Sequence, residues 1–184
     1  MVTVRTEEPD DAEAIAGVHV RAWQAGYAGI MPADVLAGLD PVLWARRRRA
    51  RWASGANVPF TTLVAQADGV LAGFTTIGPY RNQQRPDDLD PAYGEILAMY
   101  VDPTRWGTGV GRALMTAALA DLTGHGWREV RLWVLADNVR ARRFYERAGL
   151  AFDGESSTYE LQQPDGRPAL ALAEVRYGRQ LDRL

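Results

Sequence analysis

VDPTRWGTGVGRALM, residues 101–115, leaves a strand-like run, sets glycine at 107, 109 and 111, and continues into helical spacing. From Val110 onward, Val110, Leu114, Ala118 and Leu122, with Met115 and Leu119 beside them, fall on one apolar stripe, as on a helix that faces a core. A strand, a glycine-rich turn and a helix start together make an anion site. The first helical N–H groups lack intrahelical partners and carry the positive end of the dipole. Glycine brings the main chain close to an anion with no side chain intervening.

Spacing screens the candidate anions. A dinucleotide fingerprint needs a glycine three positions after its second one, and those positions hold Arg112 or Leu114. A nucleoside triphosphate loop needs a lysine, and all 21 basic residues of this chain are arginine. A diphosphate held by backbone amides remains.

Outward from this segment the pattern alternates between periods of two and 3.6 residues. MVTVRT reads as a strand, and EPDDAEAIAGVHVRAW as a helix with an acidic first turn and Ala14, Ile15, Val18 and Ala22 at helical spacing. PADVLAGL and PVLWARRRRARW are further helical segments. TTLVAQADGVLAGFTTIG reads as two strands joined at Asp68-Gly69, a dipeptide suited to a tight hairpin. The proline-rich PYRNQQRPDDLDPAY is expected to be a loop, GEILAMYV a strand and VRLWVL another. Asn138 is placed to cap a helix on which Ala141, Phe144, Tyr145 and Ala148 share a face, and Gly149 to end it. The tail LAFDGESSTYELQQPDGRPALALAEVRYGRQL reads as two strands around Pro164-Asp165-Gly166. This order predicts a mixed three-layer α/β domain.

A chain of 184 residues with net charge −2 and 47% hydrophobic residues fits one globular unit spanning 1–184, with no overall basic field for nucleic acid. The first thirty residues do not resemble a signal peptide, and no apolar run approaches the roughly 18 residues of a membrane span. A cytoplasmic location is expected. The absence of cysteine removes disulfides, thiol nucleophiles and thiolate metal sites, and the absence of lysine removes Schiff-base chemistry. His19 and His125 are the two imidazoles, too few for a histidine-rich metal site, so no metal is expected and both read as packing or capping residues. The run Arg46, Arg47, Arg48, Arg49 and Arg51, flanked by Trp44 and Trp52, suggests a nucleic-acid binder. On a helix such a run points around most of the circumference and reads as a solvated face.

YVDPTRWGTGVGRALM followed by NVRARRFYERAGLAF resembles the cofactor-binding half of the GNAT superfamily of N-acetyltransferases. Members carry a Gln/Arg-x-x-Gly-x-Gly/Ala loop whose amides bind the pyrophosphate of acetyl-CoA. Here the pattern falls on Trp106, Gly109 and Gly111, so its first position departs from the usual Gln or Arg. The match covers roughly residues 94–152. It implies a mostly antiparallel central sheet with helices on both faces, and acetyl-CoA as co-substrate. It assigns Trp106, Gly107, Thr108, Gly109, Val110, Gly111 and Arg112 to the phosphate cradle, and the backbone of Met99, Tyr100 and Val101 to the pantetheine arm. Asn138 would touch the cofactor at its helix start, and Tyr145, in FYERAGLAF, would lie beside the sulfur and protonate the thiolate.

Acetyl transfer to an amine needs the nitrogen uncharged, whereas an alkylammonium with a pKa of about 10 is almost wholly protonated at neutral pH. The resemblance places Glu95 where several branches keep the carboxylate base, and Trp23 and Tyr27 where an acceptor pocket is walled. Plainer readings stand beside these: Glu95 as a strand-edge acid, Tyr145 and Trp23 as core aromatics, Asn138 as a helix cap. Asp87, Asp88 and Asp90 offer an acidic approach for a cationic amine. The expected activity is direct acetyl transfer to a primary amine of a small molecule or a peptide N-terminus. The alternative is a binding module that keeps the coenzyme groove without catalysis. The family's final strands often take part in dimers, which makes a homodimer the expected assembly if there is one.

Overall fold

The computed structural model describes residues 1–56, 58–163 and 166–181. Seven strands, β1 (Val2–Thr6), β2 (Thr61–Ala67), β3 (Val70–Arg81), β4 (Leu89–Val101), β5 (Glu129–Leu135), β6 (Ala151–Leu161) and β7 (Leu170–Gln180), form one sheet. Its order is β1-β2-β3-β4-β5-β7-β6. Neighbours are antiparallel except β4 and β5, which run parallel and are bridged by a helix. The helices are α1 (Ala12–Gly26), α2 (Ala33–Ala37), α3 (Pro41–Ala53), α4 (Val110–Gly124) and α5 (Val139–Arg147).

The alternation of strand side chains sorts these helices onto two faces. Leu63 packs with Met115 and Leu122 of α4, while its neighbour Val64 packs with Ile15 and Val18 of α1. The stripe read from Val110 is this buried face: Val110, Leu114, Ala118 and Leu122 are all wholly inaccessible. Each fully buried Leu or Val contributes roughly 1.5–3 kcal/mol of transfer free energy, so the stripe alone fixes α4 against the sheet. On the opposite face α3 is tied down by two of its arginines, Arg48 to buried Glu7 and Arg49 to Glu13. Arg46, Arg47 and Arg51 are exposed.

One expectation changes. The segment 79–93 is less of a loop than its prolines suggest, since β3 continues through Pro79 and Tyr80 to Arg81 and β4 begins at Leu89. β2 pairing ends at Ile77, so the missing N–H of Pro79 faces no strand, and a register shift follows it. The turn is thus confined to 82–88, closed by the amide of Asn82 donating to the Asp88 carbonyl at 2.8 Å. The tail forms β6 and β7 as read, but Pro164 and Asp165 of the expected turn lie outside the described residues.

No described helix is long and apolar enough to cross a membrane, and the described residues contain no group of three or more metal-ligating side chains.

Candidate active site

Beyond Gly94 and Glu95, which pair with Val130 and Arg131, β4 has no ladder to β5. The two strands diverge from Ile96 onward, and a groove of about 1090 Å³ opens along the gap. One end is the start of α4, and the other is closed by Arg81, Gln84, Glu95 and Glu174.

The α4 end is built by its loop. Asp102 accepts from the amide and hydroxyl of Thr104, and from Arg21 of α1 at 2.8 Å. Burial alone would raise the Asp102 carboxyl, but Thr104 and Arg21 together hold it below its usual range. The chain then turns through Gly107 (φ 78°) and Gly109 (φ 95°), left-handed conformations that a side chain would strain. Among the described residues, the amides of Gly107, Gly109, Val110, Gly111 and Arg112 find no protein acceptor. Gly111 serves another end: a Cβ there would sit 3.2 Å from the Phe144 ring, so its bareness seats α5 against α4. Val110 turns its side chain into the core, leaving only its backbone to the site. Thr108 lies just outside the groove, in a shallower depression of about 620 Å³ along α4 with Arg112 and Thr116.

Trp106 holds the place of the usual Gln or Arg, and its indole N–H donates to the Val101 carbonyl at 2.9 Å. That bond consumes one of the unpaired groups of diverging β4. Over the Trp106 ring, 3.1 Å from its centroid, lies the guanidinium of Arg140 from the first turn of α5. Burial lowers the pKa of Arg140, and no carboxylate pairs with it among the described residues. A cation at a helix N-terminus opposes the dipole, so this position favours an anion from outside the chain. Asn138 caps the same helix by accepting from the Ala141 amide at 3.1 Å, and it too lines the groove.

Tyr145 is 8% exposed, lines the groove, and its hydroxyl has no protein partner among the described residues. Burial, and then Tyr100, raise its pKa above the ordinary phenol value, so it carries its proton at neutral pH. Met99, Tyr100 and Val101 all line the groove. The Tyr100 ring stacks on His19 at 4.5 Å, and its hydroxyl lies 3.5 Å from that of Tyr27. Trp23 packs edge-on against Tyr27 and also sits in the core. His19, packed among Trp23, Trp44, Phe74 and Tyr100, is pushed by burial down to about 3 and stays neutral.

Glu95 is 1% exposed, and Arg81 occupies it from three directions. The Arg81 amide donates at 2.9 Å and Nε at 3.1 Å to one oxygen, and Nη2 donates at 2.8 Å to the other. Of the three aspartates read as an approach for amines, Asp88 is bound to Asn82 and Arg85, and Asp90 caps the Ala92 amide. Two acids are therefore engaged locally, one in the turn and one on β4, and the buried charge at this end belongs to Glu95 and Glu174.

Arg81, Gln84, Arg140, Tyr159 and Glu174 line the groove without having been singled out from the sequence. Two of them left a signal. Glu174 breaks the apolar alternation of Leu170 and Leu172 on an otherwise buried strand face, and Arg140 places positive charge in the first turn of a helix.

A model of the acetyltransferase (GNAT) family matches residues 24–150 of this chain. The uncharacterized N-acetyltransferase YuaI of Bacillus subtilis is 34% identical over 139 residues, which are 75% of this chain and 74% of that protein. A mycothiol acetyltransferase of Frankia casuarinae is 33% identical over 168 residues, 89% of this chain but only 45% of that protein, so the chain spans less than half of it. The PaiA N-acetyltransferase of Thermoplasma acidophilum, solved in complex with coenzyme A, shares the fold at a TM-score of 0.70 and 20% identity, over 98% of this chain and 99% of that one.

Proposed function

Because the chain belongs to the acetyltransferase (GNAT) family, we propose that it moves the acetyl group of acetyl-CoA directly to a primary amine of a small molecule or a peptide N-terminus. The observation that carries this reading is a helix start with five amides that find no acceptor among the described residues, opening into a groove whose far end holds buried carboxylates.

The residues present fit the coenzyme. Gly107, Gly109 and the first turn of α4 offer N–H groups and the positive dipole end to a diphosphate, and Arg140 adds a full charge from α5. The free backbone edge of β4 can receive the pantetheine amides as an added strand would, and an N–H of the same edge suits the thioester oxygen. Tyr145 lines the same groove as Met99, Tyr100 and Ala141.

With no cysteine in the chain, the acetyl group has no thiol of the protein to rest on, and direct attack follows. The amine nitrogen, once neutral, forms a bond to the carbonyl carbon, and the C–S electron pair leaves with sulfur. A coenzyme thiolate has a pKa near that of a free thiol, about 8.5, far below that of buried Tyr145. Outright proton donation by the phenol is therefore uphill. Tyr145 acts as a hydrogen-bond donor that passes its proton to sulfur while regaining one from the acidic nitrogen of the tetrahedral adduct.

The reading of a coenzyme-binding module without catalysis gains no support from the site, where Glu95, Asn138 and Tyr145 all face one groove. The test is Tyr145→Phe, assayed by thiol release from acetyl-CoA with a panel of primary amines. Turnover is expected to fall about 100-fold, the scale of a lost proton-transfer group, with coenzyme affinity changed less than threefold. Unaltered turnover removes Tyr145 from the mechanism, and no thiol release with any amine favours the binding module.

A further inference from the structure

The carboxylate end of the groove contains one charge more than its partners balance. Glu95 is matched by Arg81, bound through both guanidinium contacts and the backbone amide. Glu174, 7% exposed on β7, accepts from the neutral amide of Gln84 at 2.5 Å and forms no ion pair among the described residues. Both acids point to the α1 face of the sheet, opposite Ile96 and Val175, which pack in the α4 cluster. The groups that face Glu174 are Arg81 from β3, Gln84 from the turn after it, Glu95 and Tyr100 from β4, and Tyr159 from β6.

A buried carboxylate that shares one guanidinium with a second carboxylate is costly unless something cationic arrives. An alkylammonium entering the groove supplies that charge, and the tyrosine and tryptophan rings around it suit a cation's approach. Two carboxylates then meet one ammonium, and their surroundings differ. Protonating Glu95 would break the ion pair with Arg81 inside a largely buried site. Protonating Glu174 instead relieves its repulsion with Glu95 and its desolvation, and leaves the Arg81–Glu95 pair whole.

We propose that Glu174 is the general base of this enzyme, taking the proton from the acceptor ammonium, while Glu95, clamped by Arg81, holds that ammonium in place. This rests on the transferase reading and reassigns the base within it. One N–H bond of the ammonium breaks, its electron pair staying on nitrogen and its proton going to a Glu174 oxygen. The freed pair then attacks the thioester carbon. As the amide forms, nitrogen sheds its second proton to Tyr145, which has given its own to sulfur. Glu174 returns its proton to water once the product leaves. Burial lifts the Glu174 carboxyl above the ordinary range, Gln84 and Arg81 pull it part of the way back, and Glu95 pushes it up again. A raised carboxyl is the better-matched base at neutral pH.

The experiment measures kcat/KM against pH for wild type, Glu174→Gln, Glu95→Gln and Gln84→Leu. The acceptor is whichever of tyramine, spermidine and an alanine-initiated tetrapeptide the wild type acetylates fastest. Coenzyme A calorimetry and thermal unfolding run alongside to show that each variant is folded. Wild type is expected to lose activity on the acid side at a pH above the ordinary carboxylate range. Glu174→Gln should lower kcat/KM at pH 7 by about 100-fold or more and abolish that acid limb. Its rate should then climb tenfold per pH unit toward the pKa of the free amine. Glu95→Gln should raise KM and keep the limb. Gln84→Leu, which removes a donor to the charged form, should move the limb to higher pH, and it carries the test if Glu174→Gln does not fold. A wild-type profile in Glu174→Gln, an unmoved limb in Gln84→Leu, or a limb lost with Glu95→Gln overturns the assignment. Wild type that binds coenzyme A but acetylates no member of the panel overturns the acceptor reading and this assignment together, and absence of coenzyme binding overturns the transferase reading itself.

Discussion

At the scale of single residues, Trp106 stands where the family's loop pattern has Gln or Arg, and Arg140 lies across its indole face from a different helix. The planar ring holds the guanidinium in one orientation, and burial lowers its pKa for want of an anion. We expect Arg140→Ala to weaken coenzyme A binding about tenfold, the scale of one charge-assisted hydrogen bond. Trp106→Ala should cost nearly as much, and the double variant little more than either, because the two act as one unit. Calorimetry on the three variants checks this, and additive losses would separate the residues. Trp106 was legible in the sequence as a departure. Arg140 was not, because its meaning depends on a ring 34 positions earlier in the chain that only the fold brings beneath it.

At the scale of elements, the signals that survived translation were periodic and local. The α4 stripe and the Asp68-Gly69 hairpin needed only spacing and turn chemistry, and the structure has both where the sequence puts them. The strand ends at Arg81 and Leu89 were hidden, since whether a proline is tolerated in a ladder depends on which neighbouring strand has already ended. Glu174 was hidden for a related reason: the groups that face it come from three other strands and a turn. Within the glycine loop the residues divide the labour, Gly109 for backbone conformation and Gly111 for contact with Phe144. Gly109→Ala meets no atom within 4 Å, so its penalty is conformational, roughly 1–2 kcal/mol. Denaturant unfolding should show that loss, and calorimetry a weaker coenzyme complex as the first amides of α4 rotate. Unchanged values for both would mean that the loop tolerates another conformation.

At the scale of the whole molecule, one aromatic cluster links the core to the groove through His19, which packs on Tyr100. Its pKa is depressed to about 3 in the fold, against about 6.5 unfolded. The unfolded chain therefore binds the extra proton first. The stability this neutral histidine contributes is complete above pH 6.5 and is lost as pH falls toward 3, up to about 2 kcal/mol between pH 7 and pH 5. Denaturant titrations at the two pH values should show the decline, and His19→Phe should flatten it. A slope unaffected by that substitution would assign the pH dependence to other groups.

The central claim is that bare amides at the start of α4 grip a diphosphate and thereby aim the acylated sulfur into the gap beside β4. The most direct test is calorimetry of the wild-type protein with coenzyme A and, in parallel, with pantetheine, which has the same arm and no phosphates. Coenzyme A should bind at least about 100-fold more tightly, a difference of about 2.7 kcal/mol. Equal affinities, or no heat with coenzyme A, would contradict the account.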